Sequence, residues 1–198
     1  SLVVVAHDMA RELPRTLASL APDAQHGVSP DDYEIIVVDT GSTTPANIDA
    51  CLSAAPNARV VTLPAGDASP CHAANYGVLM SRAGRIGMLI DGARMASPGL
   101  VSKALEGLAG GEAHVVGTHG FHLGEKIQSE AVIDGYDAAH EDALLAASGW
   151  EADGYKLFDI SVFSKSSGKG WDVLPSESNA VFMHKSLWFR LGGYDERF

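Results

Sequence analysis

Cysteine is scarce in this chain: Cys51 and Cys71 are the two among 198 residues. Thiols so spaced form neither a metal-type pair nor a disulfide framework, which predicts a reducing, cytoplasmic setting. Basic side chains are also few. Fourteen Lys and Arg stand against 25 Asp and Glu, a formal charge of −11. That balance excludes a nucleic-acid surface, which needs a basic patch, and disfavours an anionic membrane. A nucleotide ligand stays open, because one site can be locally favourable inside an acidic protein. No apolar run approaches the ~18 residues of a membrane span. The opening Ser1-Leu2-Val3-Val4-Val5-Ala6-His7 lacks the length and basic flank of a signal peptide. What remains is an ordinary globular composition, 46% hydrophobic and 20% charged. Such a chain makes about one domain with a sizeable core.

Apolar β-branched runs at residues 2–6, 33–39, 59–63 and 85–91 read as buried strands, with a fifth at 114–117. Between them lie helical patterns at about 10–20, up to 55, 73–82 and 98–109, the first carrying Leu13, Leu17 and Leu20 on one face. Alternation of this kind predicts an α/β fold with a largely parallel sheet. Ligands of such sheets bind beyond the carboxyl ends of the strands. Three strands end there in His7-Asp8, Asp39 and Asp91, so those side chains are expected to line one crevice. From about residue 118 the pattern is less regular. It contains a helix at 136–148, a flexible loop at 164–170, a short strand at 178–182 and a helix at 184–191 stopped by Gly192-Gly193. The chain therefore reads as one domain with a nucleotide-side half, about 1–117, and a second half, about 118–198.

Several motifs are missing. No Gly-x-Gly-x-x-Gly follows the first strand, so a dinucleotide site is not expected. Gly168-Lys169-Gly170 lacks the spacing and hydroxyl of a phosphate-binding loop. Asp39-Thr40-Gly41-Ser42 matches the turn of an aspartic protease, but that chemistry needs two carboxylates sharing a proton, and no second such turn occurs. The flanking helices also contradict an all-β protease. His119 and His122 have no paired Cys or carboxylate at ligand spacing, which favours ordinary core or surface histidines. His72 and His184 lie close to motif segments. Trp150, Trp171 and Trp188 read as core aromatics or as a stacking platform for a sugar, with Trp188 on the core side. Glu177-Ser178-Asn179 reads as polar loop or as an acceptor contact.

Five segments in order resemble family 2 glycosyltransferases. They are Val3-Val4-Val5-Ala6-His7-Asp8 with its leucine-rich helix, Ile35-Ile36-Val37-Val38-Asp39-Thr40-Gly41-Ser42-Thr43, Ala73-Ala74-Asn75-Tyr76-Gly77, Leu89-Ile90-Asp91-Gly92-Ala93, and Gly192-Gly193-Tyr194-Asp195-Glu196. The resemblance implies the GT-A fold, a nucleotide-binding sheet merged with an acceptor half. It implies inverting transfer of a sugar from a UDP- or GDP-type donor to a carbohydrate or other hydroxyl acceptor. In donor binding it implicates Ala6 and His7 against the base, Asp39 on base or ribose, and Gly41, Asn75, Asp91 and Arg94. It places the general base at Asp195, with Glu196 second. The family usually continues past the point where Phe198 closes this chain, so a catalytic domain cut short at its C-terminus is one expectation.

Physical chemistry supports parts of this directly. A strand-end carboxylate accepts hydrogen bonds from a base imide or from sugar hydroxyls, and Gly41 lets the chain turn closely against a ligand. The family's Asp-x-Asp holds Mg²⁺ or Mn²⁺ against the pyrophosphate, but Ala93 occupies the second position here. Asp91 alone makes a poor site for either ion unless water and phosphates supply the remaining ligands. The adjacent Arg94 can meet diphosphate oxygens bidentately instead. Two further readings stand beside transfer: a degenerate domain that binds a nucleotide sugar without catalysis and, remotely, the protease.

Overall fold

Leu2–Ala6 offers no polar side to water, and neither does Ile35–Thr40. These are β1 and β2, buried along their whole length. Strand side chains alternate between faces. Leu2, Val4, Ala6, Ile35 and Val37 enter one core layer, and Val3, Val5, Ile36 and Val38 enter the other. Both faces must therefore be covered by helices. On the first lie α1 (Leu13–Leu20), α2 (Ile48–Ala54) and α4 (Leu100–Leu108), through Leu13, Leu17, Leu20, Cys51, Val101 and Leu108. On the second lie α3 (Pro70–Met80) and α7 (Lys185–Leu191), through Ala73, Ala74, Val78 and Trp188.

The computed structural model describes residues 1–64, 69–89, 91–177 and 179–197. Ile90 in the strand expected over 85–91, Ser178 at the start of the strand expected over 178–182, and Phe198 lie outside them. The sheet is completed by β3 (Ala58–Leu63), β4 (Arg85–Leu89), β5 (Val115–Gly117) and β8 (Val181–His184), in the order β3-β2-β1-β4-β8-β5. Strands β1 to β4 are mutually parallel where they pair, and β8 runs antiparallel to β4. The order reverses at β1, which lies between β2 and β4. This is the switch point at which open α/β sheets hold ligands. The expected mostly parallel α/β sheet is thus present. Helix α1 starts at Leu13 rather than near residue 10, with Pro14 in its first turn, where a missing N–H is harmless.

The chain forms two compact units, Ser1–Val116 with Ala180–Phe198, and Gly117–Asn179. The last stretch, read in the sequence as part of the second half, belongs to the sheet-bearing unit. The other unit holds a two-stranded antiparallel ribbon of β6 (Phe121–Leu123) and β7 (Ser161–Phe163), with α5 (Gln128–Ala131), α6 (Ala138–Ser148) and 3₁₀ turns at Gly154–Ile160 and Lys165–Ser167. Its buried apolar residues are Ala131, Leu145 and Leu157, and its ribbon carries a cluster of half-buried and exposed rings. Phe121 stacks on Phe163 at 4.5 Å between centroids, and Phe158 meets Phe121 edge-on at 4.9 Å. No helix among the described residues is long and apolar enough to cross a membrane.

Candidate functional site

Strand register brings the expected residues to one edge. Ala6 pairs with Asp39 at the ends of β1 and β2, and Val4 pairs with Leu89 on β4. The turn after β4 lies on the end of β1. A Cβ added to Gly92 would stand 3.1 Å from the Ala6 Cβ and 3.5 Å from the Met9 Cβ. From α1, the Thr16 hydroxyl donates to the Gly92 carbonyl at 2.6 Å and fixes that turn. Ala6, His7, Asp39 and the 91–94 turn therefore share the carboxyl edge of the sheet, around the switch point.

Asp39 is 1% exposed, yet it is a carboxylate at a strand end. Its oxygens are held by its own loop: the Ser42 hydroxyl donates to Oδ1, and the Ala46 N–H donates to Oδ2 at 2.8 Å. Gly41 makes the turn with φ +61°, a conformation that favours glycine. Asp8 grips the same loop from β1. Its N–H donates to the Ser42 Oγ at 2.8 Å, while its Oδ1 accepts the Thr43 N–H at 2.7 Å and the Thr43 hydroxyl at 2.8 Å. Bonds from the Thr43 hydroxyl and then the Thr43 N–H hold the Asp8 carboxyl below the usual range. Asp8 also sits at φ +53°, the one non-glycine residue with positive φ among the described residues. Such strain costs about 1–3 kcal/mol and persists where the surroundings over-determine it. His7 adds a third tie. Its Nδ1–H donates to the Thr40 carbonyl at 2.6 Å, which leaves Nε2 outermost, 3.5 Å from the Asp8 Oδ2.

Asp91 and Arg94 form one pair. The Ala93 N–H donates to Asp91 Oδ1 at 2.9 Å, and Arg94 Nε lies 3.4 Å from Oδ2. Both side chains are about a third exposed, at 35% and 34%. A divalent ion at this carboxylate would stand beside a guanidinium. Among the described residues no group of three or more His, Cys, Asp or Glu could hold a metal. Among the described residues Asp91 therefore offers such an ion a single carboxylate, already paired with a guanidinium.

Asn75, expected on the donor, bonds the 194–196 segment here. Its Nδ2 donates to the Tyr194 carbonyl at 2.9 Å and to Glu196 Oε1 at 2.8 Å, and its Oδ1 accepts the Tyr194 N–H at 2.9 Å. His72 Nδ1 lies 3.1 Å from the other Glu196 oxygen. Bonds from Asn75 first and His72 second hold the Glu196 carboxyl below its ordinary value. Asp195 is gripped by Arg197, whose Nε lies 2.9 Å and Nη2 2.5 Å from its two oxygens, and this lowers its carboxyl too.

Sequence reading placed Asp8 at the crevice but missed its hold on the 42–44 loop, Ser42 as its relay, and the junction of residues 72–75 with 194–196. The Ser42 position falls inside the quoted Asp-Thr-Gly-Ser motif and was open to recognition. Nothing in the sequence signals the other two. Of the remaining candidates, Trp188 is 5% exposed, in the core as expected, whereas Trp171 is 68% exposed. His122 Nδ1 accepts the Gln128 N–H at 2.8 Å, and His119 packs edge-on to Phe163 and Trp171.

Among solved structures, two resemble the chain over 98% of its length. The mannosyltransferase PcManGT from Pyrobaculum calidifontis, in complex with GDP-Man and Mn2+, superposes with a TM-score of 0.55 at 16% identity over 47% of its own chain. S. aureus TarS 1-349 superposes at 0.57 with 13% identity over 50% of its chain. The chain thus spans about half the length of these proteins, and at such identities the likeness concerns the fold. No curated protein matches significantly. The description Glycosyl transferase family 2 matches residues 1–166, well over half the sequence, and the chain belongs to that family.

Proposed function

We propose that the chain binds a nucleoside diphosphate sugar at the carboxyl edge of its sheet and transfers the sugar, with inversion, to an acceptor hydroxyl. The observation that carries this reading is the buried carboxylate of Asp39 at the switch point, inside a loop that Asp8 and His7 hold in place. A carboxylate offers about four acceptor positions, and protein groups take two of Asp39's. A base imide or ribose hydroxyl reaches Oδ1 once the Ser42 hydroxyl turns aside. The backbone of Ala6 and His7 lines the base, and Gly41 admits it closely. Arg94 faces the diphosphate oxygens, drawn there from Asp91 by the larger negative charge.

In the transfer, the acceptor oxygen attacks the anomeric carbon and forms the new C–O bond. The bond from that carbon to the diphosphate breaks, and the nucleoside diphosphate leaves with the electron pair. The acceptor proton goes to a carboxylate, Asp195 in this reading, with Glu196 second. A second reading, donor binding without transfer, is favoured by one specific observation, the Ala93 substitution that leaves Asp91 paired to Arg94.

Calorimetry with UDP and GDP tests the reading; GDP is included because PcManGT was solved with GDP-Man. At least one of the two is expected to bind. Asp39→Asn in a folded protein should weaken it about tenfold or more, the range for a hydrogen bond to a charged group. Unchanged affinity would leave Asp39 as a loop fastener. Mn²⁺ should matter little and Arg94→Ala should weaken binding. If chelation abolishes binding and Arg94→Ala does nothing, a metal carries the diphosphate charge.

A further inference from the structure

The His72–Asn75 turn and the 194–196 segment meet because the topology sends both to one edge. β3 ends at Leu63 on the carboxyl side of the parallel strands, so α3 starts on that side, with His72 and Asn75 in its first turns. β8 runs the other way, Arg85 facing His184 and Met88 facing Val181. It delivers the chain to the amino edge, and α7 brings it back to the carboxyl edge, where Gly192 begins the final segment. The two then lock. Asn75 reads the Tyr194 backbone as a neighbouring strand would, through one bond to its carbonyl and one from its N–H, both 2.9 Å. The second Asn75 amide hydrogen and His72 take one oxygen each of Glu196. Gly193 makes the approach feasible: at φ +69°, a Cβ there would lie 2.5 Å from Asn75 Oδ1 and 3.0 Å from Trp188 Nε1. The Tyr194 ring packs edge-on to Trp188 at 4.9 Å, which fixes the entry to the segment. Asp195 is thereby held between two clamped neighbours.

We propose that Asn75, His72 and Glu196 are positioning residues that hold Asp195 at the acceptor side of the donor crevice. The inference rests on the transfer reading above, and it gives Asn75 a role outside the donor site. Glu196 serves in it as an acceptor of two hydrogen bonds. Its neutral isostere should then keep the clamp, because a Gln carbonyl still accepts from Asn75 and its amide can meet the other His72 tautomer.

The test uses the full chain, with UDP-glucose and GDP-mannose as donors and water as acceptor. Release of nucleoside diphosphate is followed, and UDP and GDP affinities are measured beside it. Misplacement of a reacting group by about 1 Å costs on the order of 10²-fold. Asn75→Ala and Glu196→Ala are therefore expected to lower kcat by about that factor and leave UDP and GDP affinity unchanged. Glu196→Gln is expected to keep the parent's slow amide exchange at Tyr194, and Asp195→Asn to lose about 10²–10⁴-fold in kcat. Amide exchange at Tyr194 gives a readout free of catalysis. It should accelerate about tenfold in Asn75→Ala, the loss of roughly one hydrogen bond. Asn75→Ala at the parent rate would overturn the inference, as would weaker UDP or GDP affinity in that variant, or a Glu196→Gln whose Tyr194 amide exchanges as fast as in Asn75→Ala. A parent protein that binds neither nucleotide is a separate result: it removes the transfer reading and the inference with it.

Discussion

The sheet-bearing unit and the Gly117–Asn179 unit are held together by different means. In the first, long buried strands and leucine-striped helices share two apolar layers, and backbone-reading carboxylates such as Asp8 and Asp39 tie the loops. In the second, the strands are three residues long, few side chains are fully buried, and rings cluster on the ribbon: Phe121, Phe158, Phe163 and Trp171 lie within 6 Å of one another as neighbouring pairs. A layered core spreads its stability over many small contributions. A ring cluster concentrates it in a few large side chains.

The largest expected stability effect follows from that contrast. Phe121 is half-buried and touches three other rings, so Phe121→Ala should cost about 2–3 kcal/mol and loosen the second unit first. Near-ultraviolet circular dichroism would report the lost aromatic packing, and nucleotide affinity should survive. If UDP or GDP binding disappears with the ring signal, the two units are not energetically separate. A smaller effect is expected in the first unit at Gly77. A Cβ there would lie 2.3 Å from Val3 Cγ1 and 3.1 Å from Val38 Cγ2. Gly77→Ala should therefore cost about 1–3 kcal/mol through overpacking, despite alanine's better helix propensity. At Gly84 a Cβ meets nothing within 4 Å, and Gly84→Ala should stay within about 0.5 kcal/mol. Equal denaturation midpoints for the two variants would show that α3 can shift off β1.

The same contrast explains what could be read from the sequence. β1 and β2 announced themselves because both their faces are apolar, β3 and β4 as short aliphatic runs, and α1 because its leucines repeat at helical spacing. The strand-end residues followed from the topology, and the Asp39 loop from its motif. β6 and β7 gave no such signal, since three residues cannot display a period. The return of Val181–His184 to the sheet as an antiparallel strand was hidden as well. That segment was expected in the second half, and its partner Arg85–Met88 lies about a hundred residues earlier. The Asn75–Glu196 bond spans 121 positions, and no local pattern encodes it. Asp8 is a single acid before Met9, and its role becomes visible once β1 and β2 are side by side.

Asp8 also gives the smallest of these predictions, and one confined to the carboxylate-tied unit. Its folded carboxyl is held below the ordinary 3.8 by Thr43, through the hydroxyl and the N–H. A lowered folded value means that the ionised form prefers the native loop. The contribution is complete above the unfolded value and fades as pH falls through the folded one. The grip on residues 42–44 should therefore hold at pH 5 and weaken on acidification past 3.8. The Thr43 amide, which donates to Asp8 Oδ1, should report this as a titrating proton shift in NMR, with a midpoint under 3.8. In Asp8→Asn that titration should vanish, because the amide still accepts from Thr43 but carries no proton to gain. Ring signals from Phe121 and Phe163 should stay flat across the same range, since no carboxylate ties them. A Thr43 midpoint above 3.8, or one that persists in Asp8→Asn, would mean that another acid governs the loop and that Asp8's strained backbone serves some other purpose.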